Sequence, residues 1–264
     1  MSIFEEIVTR CDGMLSPAAY QALYEAGRRG GLIVEVGTAL GAATVALALG
    51  LKDSGRPGRV ISFDPMLGGP RRQISTSSAR VDHITESLRH FAVDEFVTLV
   101  TSTLPDGLGR IPADEKISVL VIDADGRIDR DLIAVYDMVE AGGMIIVDDV
   151  LDKVRLRKSG NSKYRIDAKM RLSYLLVKIL EDDRFISPMF AVGNTYFGEK
   201  PYLFNAPIDP IRMLEGYRQI VFCDARMSKG QMMRYRILRL AERHMPRQLQ
   251  HARMMYRRRV EATQ

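Results

Sequence analysis

The stretch Ile33-Val-Glu-Val-Gly-Thr-Ala-Leu-Gly-Ala-Ala-Thr44 passes from β-prone residues through Gly37 and Gly41 into an alanine-rich segment. A short apolar run that ends at glycines and continues into small helix formers reads as a strand turning directly into a helix. Residues 32–51 are also the most apolar window of the chain, about long enough to span a bilayer. Glu35 and the glycines inside that window argue for strand, turn and helix, so no membrane span is expected. A dinucleotide fingerprint would need G-x-G-x-x-G, but the three positions hold Gly37, Ala39 and Ala42, and that pattern fails. What stands there is E-x-G-x-x-x-G-x-x-T, from Glu35 to Thr44. An acid ahead of the turn would repel a pyrophosphate and suits a cationic ligand, with a purely structural turn as the alternative.

Outward from this stretch the same alternation repeats. "RVISFDP", "FVTLV", "ISVLVIDAD" and "GGMIIVDD" are β-rich, and helical patterns such as "TSSARVDHITESLRHFA" and "RDLIAVYDMVEA" separate them. The β-rich runs are short and uniformly apolar, as expected of a parallel sheet covered on both faces. The spacing predicts a doubly wound α/β sheet, whose ligands bind at the carboxyl ends of the strands. After Asp149 the segment "LDKVRLRKSGNSKYR" reads as a polar, basic surface loop, and "IDAKMRLSYLLVKILEDDRF" as an amphipathic helix. Two β-prone runs around Gly193-Asn194 give an antiparallel hairpin. From Pro207 onward the chain reads as helical, with Pro210 at a helix start and Pro246 as a break. The expected division is a domain over 1–206 and a basic, Met-rich helical extension over 207–264.

Acids gather where ligands of such a sheet bind. Asp64 ends the second strand, about two dozen residues beyond Gly41. A carboxylate there can accept both hydroxyl hydrogens of a ribose, or cap a loop. One acid near a positive centre and another on a ribose describe a nucleoside that carries a cation, which is the chemistry of S-adenosylmethionine. Asp123, Asp148 and Asp149 fall at the ends of the fourth and fifth strands. Three converging carboxylates repel one another unless a cation, a proton or an arginine intervenes. Oxygen-only ligands favour a hard divalent ion such as Mg²⁺, while strand-end acids also cap loops or pair with arginines.

Together these stretches resemble the class I S-adenosylmethionine-dependent methyltransferases, and among them the small-molecule O-methyltransferases of catechol or sugar type. The resemblance covers roughly residues 14–203: a leading helix and glycine motif, the ribose strand "VISFDP", the run "VIDADGRIDRDLIAVYDMVEAGGMIIVDDV" and the closing "FAVGNTYFGEK". It implies a Rossmann-like methyltransferase sheet, mostly parallel, with a C-terminal antiparallel hairpin. It implies that Glu35, Gly37 and Gly41 line the methionine side of the cofactor, that Thr38 and Thr44 also contribute to cofactor binding, and that Asp64 holds the ribose. Ser102 and Thr103 then lie near the adenine, and Asp123 also faces the cofactor. By the same resemblance Asp123, Asp148 and Asp149 hold Mg²⁺ or another hard divalent ion that lowers the acceptor's pKa. Related metal-dependent enzymes often carry a lysine or histidine base just after the fourth-strand acids, whereas here Gly126 and Arg127 follow. Metal activation alone, a base from elsewhere, or lost catalysis are the three consequences. Asp123, His83 and Asp125 are the catalytic candidates, with His90 near His83, although surface histidines are ordinarily just that.

The bulk numbers agree with an enzyme of this kind. A chain of 264 residues, 46% hydrophobic and 27% charged, supports one large core. "MSIFEEIVTRCDG" has no basic start and no long apolar run, so no signal peptide and a cytoplasmic location are expected. Cys11 and Cys223 have no metal-ligand spacing and read as ordinary thiols. The formal net charge of +5 is a tail property, because residues 224–264 hold eleven Arg and Lys against three acids. Met233, Ile237, Leu240, Leu249, Ala252, Tyr256 and Val260 recur at helical spacing there, which suits packing on the same domain or in a homodimer. No aromatic platform accompanies these arginines, so nucleic acid is not the expected partner. The expected partner is a small-molecule hydroxyl acceptor. Lys153, Arg155, Arg157 and Lys158 follow the acids directly, as a solvated face or a cover for an acidic acceptor, and Arg71 and Arg72 lie in another candidate acceptor loop. A metal-independent enzyme and an inactive cofactor-binding subunit with a recruiting tail are the rival readings.

Overall fold

A computed structural model describes residues 1–67, 74, 76–159, 163–202 and 206–221, with isolated positions between 233 and 245. Residues Met1–Val221 form one compact unit and Phe222–Gln264 a second. The chain opens with two helices, α1 (Ile3–Arg10) and α2 (Pro17–Gly27). Both start on serine caps: Ser2 forms a reciprocal capping box with Glu5, and Ser16 accepts from the Ala19 amide. Strands and helices then alternate as β1 (Gly31–Val36), α3 (Ala42–Ser54), β2 (Gly58–Phe63), α4 (Ser77–His90) and β3 (Val97–Val100). The series continues with α5 (Leu104–Gly107), β4 (Ile117–Ile122), α6 (Ile128–Val135) and β5 (Val139–Val147).

Beyond β5 come a small hairpin, β6 (Arg155–Ser159) with β7 (Lys163–Asp167), then α7 (Lys169–Asp182), a second hairpin, β8 (Ser187–Val192) with β9 (Thr195–Glu199), and α8 (Pro210–Val221). The seven-stranded sheet runs in the order β3-β2-β1-β4-β5-β9-β8. β1 to β5 pair in parallel, and β9 lies antiparallel to both β5 and β8. The expected doubly wound sheet with a closing hairpin is therefore present. The direction of winding reverses between β1 and β4, so a crevice opens at their carboxyl ends.

Alternation along the strands divides the core in two. Val34 and Val36 point into a cluster with Leu120, Ile122, Leu132 and Leu176, and Ile33 points into the other, with Val45, Leu47 and Ile84. Each face buries its own apolar set, which explains why β4 is buried at all six residues. α2 and α3 meet backbone to backbone, since a methyl on Gly50 would lie 1.9 Å from the Tyr24 carbonyl oxygen. That contact fixes the N-terminal helices against the helix that follows the glycine turn.

One expectation changes here. The basic segment after Asp149 is not a plain loop: β6 and β7 pair from Arg155 with Asp167 to Ser159 with Lys163. Its period-two pattern, Arg155-Leu156-Arg157 facing Arg165-Ile166-Asp167, was masked by its charge. The window of residues 32–51 is β1, turn and α3, and no described helix is long and apolar enough to cross a membrane. α8 packs within the first unit: Arg212 pairs with Asp183 at 3.0 Å, and the Tyr217 hydroxyl donates to Asp129 at 2.7 Å. Arg71, Arg72, Cys223, Pro246, Leu249, Ala252, Tyr256 and Val260 lie outside the described residues. Met233, Ile237 and Leu240 are helical and exposed.

Candidate active site

The strand ends are stitched into one platform. The Gly37 amide donates to the Phe63 carbonyl at 2.8 Å, and the Asp123 amide to the Val36 carbonyl at 2.8 Å. The Asp64 and Asp148 amides extend the ladder, to Val100 and Ile122, each at 3.1 Å. The acids thus stand on the last rungs of the sheet. Gly37 has φ +104°, and a methyl on it would lie 2.2 Å from the Asp123 carbonyl oxygen, so only glycine lets β1 and β4 end this close together. An open cleft of about 340 Å³, counted out to solvent, runs between Gly37, Thr38, Ala39 and Asp123 on one side and Met14 and Tyr20 on the other. Burial pushes the Tyr20 phenol up, so it remains neutral, and its oxygen accepts from the Leu15 amide at 3.2 Å.

Asp64 clamps both turns beside it. One oxygen accepts from the Ala39 amide at 2.9 Å, the other from the Met66 amide at 2.7 Å. Ala39 and Met66 both have φ +55°, a left-handed conformation that non-glycine residues adopt at a cost. Each carboxylate oxygen retains a lone pair for a hydroxyl donor. Glu35 lies beneath the turn rather than in the cleft, 1% exposed. Its Oε2 accepts from Thr44 at 2.5 Å and also from Ser62, which in turn meets Thr38 at 2.6 Å. Its Oε1 has no hydrogen-bond partner. Burial, against the pull of Ser62 and Thr44, lifts this carboxyl to about 7. Gly41 caps α3 in the left-handed region. At the end of β3, the Ser102 hydroxyl donates to the Thr103 carbonyl at 3.1 Å, and Thr103 caps α5 through Asp106.

Asp123, Asp148 and Asp149 do converge, with one carboxylate oxygen from each lying within 4.8 Å of the others. Thr195 donates to Asp148 at 2.7 Å and Asn194 to Asp149 at 2.9 Å, so the β8–β9 turn orients both acids. Burial and then the neighbouring carboxylate of Asp148 raise Asp123 well above the ordinary range, and burial raises Asp148. A cation already stands among them. The Lys169 ammonium is 3.1 Å from Asp149 and 3.6 Å from Asp123. As a donor set the three acids suit a hard divalent ion, but Mg²⁺ needs oxygens at about 2.0–2.1 Å, and the ammonium already stands against two of the three acids. With Lys169 seated, the cluster does not fit an additional divalent ion.

The remaining candidates lie apart. Asp125 accepts from the Arg127 amide at 3.1 Å and pairs with Arg130 at 3.1 Å, its side chain 58% exposed. It closes the turn just ahead of α6 and is not in the carboxylate cluster. His83 stands on α4, its Nε2 shut off from solvent without a partner, and among the described residues it joins neither the cluster nor the cleft lining. His90 pairs with Glu6 at 2.7 Å. Sequence reading missed Lys169, Asn194, Thr195, Met14 and Tyr20. The one available signal was Lys169 itself, a cation at the first residue of α7, where the helix dipole favours acids.

A family model of a methyltransferase domain matches residues 34–150. None of the curated proteins matches the chain. Among solved structures, the O-methyltransferase TomG from Streptomyces achromogenes, involved in tomaymycin synthesis and in complex with S-adenosylmethionine, is 15% identical. It superposes with a TM-score of 0.55 over 76% of this chain and 90% of its own. The O-methyltransferase from Bacillus cereus with S-adenosylhomocysteine is 19% identical, with a TM-score of 0.52 over 76% of this chain and 91% of its own. The S-adenosylhomocysteine-bound methyltransferase PaMTH1 of Podospora anserina is 15% identical, with a TM-score of 0.51 over 75% and 85%. Residues 34–150 therefore match a methyltransferase-domain model, and the chain shares the fold of these solved methyltransferases.

Proposed function

We propose that the chain transfers the methyl group of S-adenosylmethionine to a hydroxyl oxygen of a small molecule. The observation that carries this reading is the shared platform: the glycine turn and Asp123 line one crevice at the β1–β4 reversal, Asp64 holds the Ala39 amide of that turn, and Asp148 and Asp149 converge on Asp123. Cofactors bound to TomG and to the Bacillus cereus enzyme support the same choice. The donor supplies an electrophilic methyl carbon on a sulfonium. The acceptor hydroxyl gives up its proton to a carboxylate of the Asp123 cluster and thence to solvent, the new C–O bond forms as the C–S bond breaks, and S-adenosylhomocysteine departs. The chain's part is to hold acceptor oxygen and methyl carbon in line. Asp64 takes the ribose hydroxyls, Gly37 to Ala39 bring backbone against the donor, and the carboxylates with Lys169 face the acceptor. A divalent ion would find its oxygen donor set only with Lys169 displaced, whereas assistance without metal draws support from Lys169 as it stands. The second is favoured, because the lysine already supplies the positive charge.

Isothermal titration with S-adenosylhomocysteine tests the cofactor site. Wild type is expected to bind, and Asp64→Ala to bind about tenfold to a hundredfold more weakly, since charge-assisted hydrogen bonds contribute about 1.5–3 kcal/mol. Well-folded wild type that takes up no S-adenosylhomocysteine would sink the reading.

A further inference from the structure

We infer that the Lys169 ammonium is the resident cation of the Asp123–Asp148–Asp149 cluster, standing where a divalent ion would otherwise sit and facing the acceptor oxygen. The inference rests on the reading of this crevice as a hydroxyl-methylating site, and its test is separable from that reading.

Three features of the chain build this arrangement. The first is the orientation of the acids: Asn194 engages Asp149 Oδ1, while Lys169 lies 3.1 Å from Oδ2, the other oxygen. Thr195 likewise holds Asp148 Oδ1. The β8–β9 turn therefore presents Asp149 to the ammonium. The second is the notch at Gly126, where a methyl would lie 2.9 Å from the Lys169 Cγ. The bare glycine at the end of the β4 loop leaves room for the lysine stem, which a side chain there would force to shift. The third is the placement of Lys169 at the first residue of α7, which has no acid in its first turn. A cation at that end opposes the helix dipole, and the carboxylates offset the opposition.

An ammonium carries three N–H donors. Asp149 takes one of them at 3.1 Å while Asp123, at 3.6 Å, attracts the charge without a hydrogen bond, and a donor turned to an acceptor oxygen would stabilise it as its negative charge develops. A tethered lysine also differs from a metal in consequence: it cannot be chelated away, and it is present in every copy of the chain.

The test is Mn²⁺ binding to the full chain, read by electron paramagnetic resonance and calorimetry. Wild type is expected to hold no stoichiometric Mn²⁺ below about 1 mM. Lys169→Met should open the cluster to one Mn²⁺, with at least about tenfold tighter binding, and Lys169→Met/Asp149→Asn should lose it again. Lys169→Gln is the parallel variant if the methionine version unfolds, and Lys169→Arg, which keeps the charge, should stay metal-free. Stoichiometric Mn²⁺ uptake by wild type that Asp149→Asn abolishes would overturn the inference. So would a folded Lys169→Met and Lys169→Gln pair that both remain metal-free. S-adenosylhomocysteine titrations on the same samples report the cofactor site independently, so their failure would strike the proposed function and leave the Mn²⁺ result standing.

Discussion

Gly37→Ala is expected to destabilise the chain by about 4 kcal/mol and to abolish S-adenosylhomocysteine binding. Two costs add. The alanine would sit at φ +104°, which L side chains rarely adopt, a penalty of about 1–3 kcal/mol. Its methyl would also lie 2.2 Å from the Asp123 carbonyl oxygen, 2.6 Å from its carbon and 3.0 Å from the Ala124 nitrogen. These are backbone atoms of the neighbouring central strand, so no side-chain rotation relieves the overlap, and overpacking of this kind costs about 1–3 kcal/mol more. Relief requires β1 and β4 to part at the point where the cofactor turn begins. Gly55→Ala is the control, with φ +64° but nothing within 4 Å, and should cost only about 1 kcal/mol. Urea unfolding of both variants decides the matter, and equal losses would show that the approach at Gly37 is not what constrains it.

Wild type is expected to lose up to about 3 kcal/mol of stability from Glu35 between pH 4.5 and about 7, and little more from it above that. The direction follows from the raised carboxyl. Below pH 4.5 Glu35 is protonated in both folded and unfolded chains. As pH rises, the unfolded chain ionises it first, while the folded chain, with Glu35 buried and Oε1 unpartnered, resists until about 7. The folded state therefore falls behind through that window. Asp123 and Asp148 are shifted the same way, so the wild-type slope alone does not isolate Glu35. Glu35→Gln does, and should flatten this share of the slope, ending relatively more stable at pH 8 than at pH 5. Denaturant midpoints of the two proteins at both pH values measure it, and parallel pH profiles would refute it.

The parts of the fold legible in the sequence were those with short-range signals. β1 and β4 showed as apolar runs because burial on both faces removes any need for polar alternation. The hairpin at Gly193-Asn194 showed because its turn residues are local. β6 and β7 were hidden because their period-two pattern is built from arginines and lysines, which hydropathy reads as a loop. The site divides in the same way. The convergence of Asp123, Asp148 and Asp149 could be reasoned from strand ends alone. The lysine could not, because its contact joins the start of α7 to the end of β4 across 46 residues of sequence numbering, from Asp123 to Lys169. Gly126 was visible as an empty place, but nothing local to it says which chain segment fills that place. Asp125 was misleading for the opposite reason: beside the end of β4, it is occupied with the turn ahead of the next helix and with Arg130.

One carboxylate holding two left-handed junctions has a further consequence. Ala39 and Met66 sit in different loops, yet each is kept in its costly conformation by an oxygen of Asp64. The relaxation of either loop is thereby coupled to the other through a single side chain. The edge proposed to receive the cofactor should open as one cooperative patch, at lower free energy than the strands behind it. Amide hydrogen exchange would then begin at Ala39 and Met66 together, and a nucleoside seated on Asp64 would slow both at once.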